Sequence, residues 1–174
     1  MAPFRASSAL LGAALLAILA GPALSQGQAQ PKPVAQFGDW SVYTGGSGNT
    51  KVCYALSQPK DRQPGGLNRD PAYFFVSTRP GEKVVNEVSI TMGFKLKDGS
   101  ESKLTIGPQV FQLYTKDEGA WVRNVAEEGK LVDAMRKGKD LTIASTSVRG
   151  NVTTDKYALG GLGQALDRVV QECK

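Results

Sequence analysis

The chain has 174 residues, with 21 Lys and Arg against 16 Asp and Glu, two Cys and no His. Its content of 41% hydrophobic and 21% charged residues is typical of a globular protein, not of a disordered or fibrous one. The lack of His excludes a Ser-His-Asp triad, a Cys-His pair and a His-ligated zinc ion, because each of them needs an imidazole.

The first 25 residues have the layout of a secretory signal peptide. Arg5 supplies a positive charge, and the uncharged stretch 9–20 is shorter than the ~20 residues that a membrane span needs. A Gly-Pro break then precedes small residues that fit cleavage after Ser25, and Ala29 offers a second small residue for an alternative site. We therefore expect residues 1–25 to be a cleaved signal peptide and the chain to be exported to the periplasm or cell envelope.

The rest of the chain is predicted to form one domain. Removing residues 1–25 also removes Arg5, which lowers the formal net charge from +5 to +4. The Gln- and Pro-rich residues 26–36 are interpreted as a flexible leader, and residues 37–174 as the domain. No later stretch is apolar and long enough to be predicted as a membrane span, and no dense run of Lys and Arg indicates nucleic-acid binding.

Cys53 and Cys173 are the only thiols, and in an oxidising compartment two cysteines most simply pair. Apolar residues at helical spacing run up to Cys173, which predicts that it lies on the buried stripe of a C-terminal helix. That stripe consists of Leu162, Ala165, Leu166, Val169, Val170 and Cys173. A disulfide would clamp this helix to a strand at 52–57. The alternatives are a reactive thiol, which would need a base other than His, and a pair of intermolecular bridges.

Short strand-like runs divided by turn signals follow one another along the domain. Asp98-Gly99 is a strong hairpin signal, and residues 58–71, with three Pro and two Gly, are predicted to be a long loop. One interior helix is predicted between a cap at Asn124 and an end at Gly138. This pattern favours a β-sandwich with a helix packed across it. The predicted strands are 40–43, 52–57, 73–77, 84–91, 94–97, 104–106, 110–114, 121–123, 141–145 and 155–159.

Three groups of charged residues are candidates for function. The adjacent carboxylates Asp117 and Glu118, and Glu127 and Glu128, could act as acid and base on a glycoside, although a turn and a helix start explain them as well. The long loop is the favoured contact segment, because long loops on a rigid scaffold often carry recognition. Its candidate contact residues are Lys60, Arg62 and Arg69, whose charges are nearly cancelled by Asp61 and Asp70. A basic cluster that could bind an acidic partner consists of Lys130, Arg136, Lys137 and Lys139.

An ordered set of short motifs runs through residues 37–174: Phe37-Gly38-Asp39-Trp40, Val52-Cys53-Tyr54-Ala55-Leu56-Ser57-Gln58-Pro59, Arg69-Asp70-Pro71-Ala72-Tyr73, Asn86-Glu87-Val88-Ser89, Ala120-Trp121-Val122, Met135-Arg136-Lys137-Gly138, Asp155-Lys156-Tyr157-Ala158-Leu159, and Ala165-Leu166 to Cys173. Together they resemble the invasion-associated locus B proteins of alphaproteobacteria. The resemblance implies an exported, periplasmic or envelope-associated protein with an immunoglobulin-like β-sandwich, on which the interior and C-terminal helices pack. It also implies a link to host-cell entry in pathogenic members, and it brings no catalytic residues.

This chain departs from many of these relatives at one position. They carry a further cysteine shortly after the opening Trp, where this chain reads Ser41-Val42-Tyr43-Thr44. The export signal, the lack of His and the family resemblance together give the leading hypothesis, which is a non-enzymatic envelope protein that binds an envelope or host-surface protein, with neither a cofactor nor a metal. The alternatives are an envelope hydrolase that uses carboxylates and a periplasmic assembly or stress factor.

Overall fold

Strands with alternating buried and exposed residues make this a mainly β protein. The computed structural model describes residues 30–174, so the predicted signal peptide 1–25 lies outside the described residues. The strands are β1 (Lys32–Phe37), β2 (Trp40–Gly45), β3 (Val52–Ser57), β4 (Asp61–Gln63), β5 (Tyr73–Arg79), β6 (Val84–Thr91), β7 (Glu101–Ile106), β8 (Gln109–Lys116), β9 (Gly119–Val122), β10 (Asp140–Thr146) and β11 (Val152–Ala158). The helices are α1 (Val125–Lys137) and α2 (Leu162–Glu172).

Within the described residues, the 11 strands form one antiparallel sheet in the order β1-β2-β3-β5-β6-β9-β8-β7-β10-β11-β4. β5 and β11 are well separated in this order, yet the rings of Phe74 on β5 and Tyr157 on β11 meet edge to face at 5.4 Å between centroids. The sheet therefore folds over onto itself, and its inward side chains fill one shared core. The predicted sandwich-like, mainly β fold with two helices is confirmed.

α1 begins and ends where the sequence predicts. The side-chain oxygen of Asn124 accepts hydrogen bonds from the backbone N–H groups of Ala126 and Glu127, at 2.8 and 3.1 Å. The helix ends before Gly138, with acidic residues in its first turn and basic residues in its last, which is the favourable order for the helix dipole.

α2 packs its apolar stripe against the inner face of β1, β2 and β3. Leu162, Ala165, Leu166 and Val169 are buried, whereas Val170, predicted on the same stripe, is 45% exposed. The helix starts at Gly161 (φ +91°), where a Cβ would collide with the backbone carbonyl of Phe37. Glycine at this position thus permits the close approach of the helix start to the β1–β2 turn.

The leader predicted at 26–36 is not flexible throughout, because residues from Lys32 onwards form β1. This strand pairs with β2, and Val34, Ala35 and Phe37 pack against the core. Pro33 is tolerated because an edge strand leaves one side of its backbone without a ladder partner. The apolar side chains of Val34, Ala35 and Phe37 thus stabilise a strand in a segment whose composition resembles that of a loop.

Three further expectations are corrected. Residues 94–97 do not form a strand, since only Leu96 makes an isolated bridge, with Ser147. The Asp98-Gly99 turn consequently leads into β7, which pairs with β8 and β10, and it closes no hairpin. The loop 58–71 contains a short strand, β4, which pairs with β11. Turn residues fix a local reversal of the backbone, but partners distant in sequence decide which strands pair.

Candidate binding site

A disulfide bond joins Cys53 of β3 to Cys173 at the end of α2, with their Cα atoms 5.9 Å apart. Cys53 is fully buried, whereas Cys173 remains partly accessible. The bond ties the last helix to a strand in one half of the sandwich. With both sulfur atoms bonded, neither cysteine is a nucleophile in this structure.

Asp155 on β11 is a fully buried carboxylate that faces the interior of the sandwich. Its two oxygens accept hydrogen bonds from Arg62 Nε at 3.1 Å and from Arg69 Nη1 at 3.2 Å. Burial raises the pKa of the Asp155 carboxyl above its usual value, and the charges of Arg62 and Arg69 counter part of that rise. The two arginines thus compensate a charge that the fold removes from water.

The Arg62 guanidinium also reaches the opposite layer of the sandwich. Its two remaining nitrogens donate 2.7 Å hydrogen bonds to the backbone carbonyls of Asp70 and Met92. Arg69 donates to the carbonyls of Arg62 and Pro64, at 2.9 and 3.0 Å. These bonds hold the loop between β4 and β5 in one conformation.

The three predicted contact residues of the loop therefore have different environments. Arg69 is 7% exposed and Arg62 is 21% exposed, and both guanidinium groups are bound inside the chain. Lys60 stays 55% exposed and forms an ion pair with Asp39 of the β1–β2 turn. Of the three, only Lys60 has a side chain exposed enough to contact a partner, so a contact role for this loop rests on Lys60 and on residues near the loop.

A cavity of about 380 Å³ opens beside the fixed part of the loop. Four segments form its walls: the end of the loop, the stretch after β6, the β8–β9 turn, and the β10–β11 turn with the start of β11. This volume lies within the range of small-molecule and peptide pockets. The cavity is lined by Leu67, Asn68, Arg69, Asp70, Gly93, Phe94, Lys95, Glu118, Ser147, Val148, Arg149, Asn151 and Thr153.

The cavity combines both signs of charge with apolar surface. Lys95 and Arg149 are exposed, and neither forms an ion pair with another described residue. Asp70 and Glu118 supply two carboxylates, so the cavity's unpaired charges balance. Val148 adds an apolar group that is 57% exposed. A ligand here would match charges of both signs and an apolar group.

The members of each carboxylate pair predicted from the sequence do not share a site. Glu118 lines the cavity, but its neighbour Asp117 sits in the β8–β9 turn at φ +53° and does not. Glu128 accepts a 2.6 Å hydrogen bond from the backbone N–H of Val88, and burial raises the pKa of its carboxyl. Glu127 in the same turn is exposed. The members of each pair thus have separate surroundings.

The predicted basic cluster at the end of α1 is also partly used within the chain. Arg136 Nη1 forms a 3.0 Å ion pair with Asp167 of α2 and donates to the Gly163 carbonyl at 3.3 Å. Lys137 and Lys139 line a shallow depression with Asp140. The cluster therefore links the two helices and leaves part of its charge exposed.

Sequence reasoning missed Asp155, Lys95 and Arg149 as residues of interest. A signal existed for Asp155, since it occupies an inward position in an alternating strand, where an unpaired acid would be costly. Lys95 and Arg149 carry no such signal. They come together because Val148 N–H donates to the Lys95 carbonyl at 3.0 Å, across 53 positions of sequence.

Among residues 30–174, no helix combines the length and apolar character required to cross a membrane. The same part of the chain holds no group of three or more His, Cys, Asp or Glu side chains arranged to bind a metal ion.

The fold and the disulfide place this chain in the class of small, mainly β, disulfide-bonded proteins. Residues 40–170 match the family model of the invasion associated locus B (IalB) protein, so the chain belongs to that family, and the resemblance seen in the sequence is confirmed. A similar solved structure is the crystal structure of invasion associated protein B from Bartonella henselae. It is 20% identical with a TM-score of 0.57, and the match covers 79% of this chain and 95% of that chain. No curated protein matches the chain.

Proposed function

We propose that this chain is an exported, non-enzymatic protein of the periplasm or envelope, and that it binds a protein partner through the 380 Å³ cavity. The observation that carries the proposal is the composition of the cavity walls. Lys95, Arg149, Asp70 and Glu118 offer both signs of charge, next to apolar and amide side chains. A protein segment presents this same mixture, whereas a nucleic acid or a surface of anionic lipids presents one sign of charge.

The bonds around Asp155 support this role because they fix the cavity before a partner arrives. Arg69 is anchored to Asp155 and to two loop carbonyls, and Arg62 holds the Asp70 carbonyl. A preorganised wall lowers the entropy lost on binding. Two partner sources fit the family, an envelope protein and a host-surface protein, and the identity of the captured protein distinguishes them.

Site-specific crosslinking in intact cells tests the proposal. A photo-reactive residue replacing Val148, which is 57% exposed at the cavity, should give a discrete adduct. The same residue replacing Val85, which is 61% exposed outside the cavity lining, is the matched control and should give none. Equal adducts from both positions would show that capture does not depend on the cavity.

Charge reversal in the same cells provides the second test. Lys95→Glu combined with Arg149→Glu should abolish the Val148 adduct while the protein remains folded. Lys130→Glu combined with Lys137→Glu changes the net charge by the same amount on α1, outside the cavity lining, and should leave the adduct intact. Loss of the adduct in the second variant alone would assign binding to the basic cluster instead.

Export is tested by the N-terminus of the protein recovered from the periplasmic fraction. A chain that begins after Ser25 supports the proposal, and a full-length cytoplasmic chain refutes it.

One observation favours the hydrolase alternative, because Asp70 and Glu118 both line the cavity. Purified protein should show no turnover of peptidoglycan or glycosides. Turnover that is lost on Glu118→Gln would replace the binding role with a catalytic one.

A further inference from the structure

A second depression, of about 490 Å³, lies on the side of the sheet that faces away from the core. Successive side chains of a strand point to opposite faces of the sheet. Val42, Ala55 and Phe74 are buried in the core, so the residues next to them that line the depression lie on the outer face. The depression shares no residue with the 380 Å³ cavity. Its lining includes Gln36, Asp39, Tyr43, Gln58, Lys60 and Tyr73.

Aromatic rings in mutual contact border this depression. Tyr43 stacks on Tyr54 at 5.3 Å, Tyr54 meets Phe75 edge to face at 5.8 Å, and Phe75 contacts Tyr73 at 6.2 Å, all between ring centroids. Tyr43 and Tyr73, the two ends of this chain of rings, reach the depression itself. Because each ring is held by its neighbour, the ends keep their orientation without a ligand.

The polar groups of the depression are neutral as a set. Gln36 and Gln58 bring amides, and Ser41 brings a hydroxyl, so both donors and acceptors are present. The single acid, Asp39, is ion-paired with the single base, Lys60. This composition gives no preference for an anion or a cation, unlike that of a phosphate or carboxylate site.

A saccharide matches these features. A sugar ring has an apolar C–H face, which packs on an aromatic ring, and a rim of hydroxyls that both donate and accept hydrogen bonds. We infer that the depression binds a neutral saccharide unit of a longer glycan, with Tyr43 and Tyr73 as the ring contacts and Gln58 as a hydrogen-bonding group. Its volume of about 490 Å³ lies in the range of ligand sites.

This inference goes beyond the proposed protein-binding function and does not depend on it. It also places Lys60, the exposed cation of the long loop, at the edge of the 490 Å³ depression. The Lys60–Asp39 ion pair joins that loop to the β1–β2 turn and so forms one rim of the depression.

Titration of the ¹⁵N-labelled mature protein with chitohexaose, cellohexaose and maltohexaose, followed by NMR, tests the inference. At least one of these uncharged oligosaccharides should shift backbone amides within 36–43, 56–60 and residue 73, while amides lining the 380 Å³ cavity stay unchanged. Absence of binding by all three, or shifts confined to other parts of the chain, would overturn it.

Variants then assign the contact. Tyr73→Ala should weaken the affinity about tenfold, the equivalent of one aromatic contact, and Tyr43→Phe, which keeps the ring, should retain most of it. Gln58→Ala tests the site without removing a ring, and should also weaken binding. Tyr114→Ala removes an outward tyrosine of β8 outside the depression and is the matched control. Equal weakening by Tyr114→Ala and Tyr73→Ala would refute the assignment.

Discussion

The guanidinium of Arg62, on the edge strand β4, donates a 2.7 Å hydrogen bond to the backbone carbonyl of Met92, directly after β6. β4 is the last strand of the sheet order, whereas β6 is near its middle. The same guanidinium binds the buried Asp155 of the neighbouring strand. Arg62 therefore connects the two layers where the sheet would otherwise leave an open edge.

Replacing Arg62 should consequently lower the free energy of unfolding strongly. Arg62→Ala leaves Asp155 buried with Arg69 as its remaining ion-pair partner and removes the bonds to two carbonyls. The expected loss is about 3–5 kcal/mol of unfolding free energy, the usual result of breaking a buried ion pair. Urea unfolding measures it.

Arg79→Ala is the matched control for Arg62. Arg79 pairs with Glu82 and Glu87, which are more accessible to solvent than Asp155, so its loss should cost at most about 1 kcal/mol. Comparable losses in the two variants would contradict the role of Arg62 as a connection between layers.

The Cys53–Cys173 bond should stabilise α2 in particular. Cys173→Ser should cost about 2–5 kcal/mol, and amides of residues 161–174 should exchange before the protein unfolds globally. Without reductant, the intact protein should be a monomer two hydrogens lighter than its reduced form. Two alkylatable thiols in freshly exported protein, or a disulfide-linked dimer, would contradict this prediction.

Tyr157→Phe should leave stability unchanged or increase it. The Tyr157 hydroxyl is buried, and no group within residues 30–174 forms a hydrogen bond with it. Phenylalanine keeps the edge-to-face contact with Phe74 and removes a polar group that the fold does not satisfy. Chemical denaturation of both proteins measures the difference, and a loss above about 1 kcal/mol would reveal a partner for the hydroxyl.

Glu128 gives a pH dependence of defined sign. Burial raises the pKa of its carboxyl above the usual 4.5, so the folded state binds the proton more tightly than the unfolded state. As the pH rises from 4.5 through the raised pKa, this group therefore lowers the unfolding free energy. Glu128→Gln keeps an acceptor for the Val88 N–H and removes the titration.

The difference in stability between Glu128→Gln and wild type should therefore shift in favour of the variant as the pH rises through this window. Denaturation midpoints at a series of pH values from about 4 to 8 measure it. Glu127→Gln removes an exposed charge from the same helix turn without touching Val88 and serves as the control. A shift in the opposite direction would mean that the hydrogen bond from Val88 outweighs burial.

The local structure was largely predictable from the sequence. Asn124 and Gly138 mark the ends of α1 because capping and helix termination depend on neighbouring residues. Most strands were also predictable, because the alternation of apolar and polar residues that marks a strand is likewise visible in neighbouring residues. The cysteine pairing was also accessible, since the chain has only two thiols.

The candidate sites were less predictable, because they depend on contacts between distant residues. Arg62 and Asp155 are 93 positions apart, and nothing near either one indicates that they meet. The loop cations were expected to face a partner, but a buried carboxylate needs compensation, and two of them provide it.

The sequence by itself determined the chain's secondary-structure pattern, its family and its candidate disulfide partners, because all of these are encoded in residue type and spacing. Only the tertiary structure decided how the sheet folds onto itself, which partner β4 takes, and which side chains line the 380 Å³ cavity and the 490 Å³ depression. Strand order and ion pairing depend on free energies summed over the whole core, and short-range sequence patterns do not contain those sums.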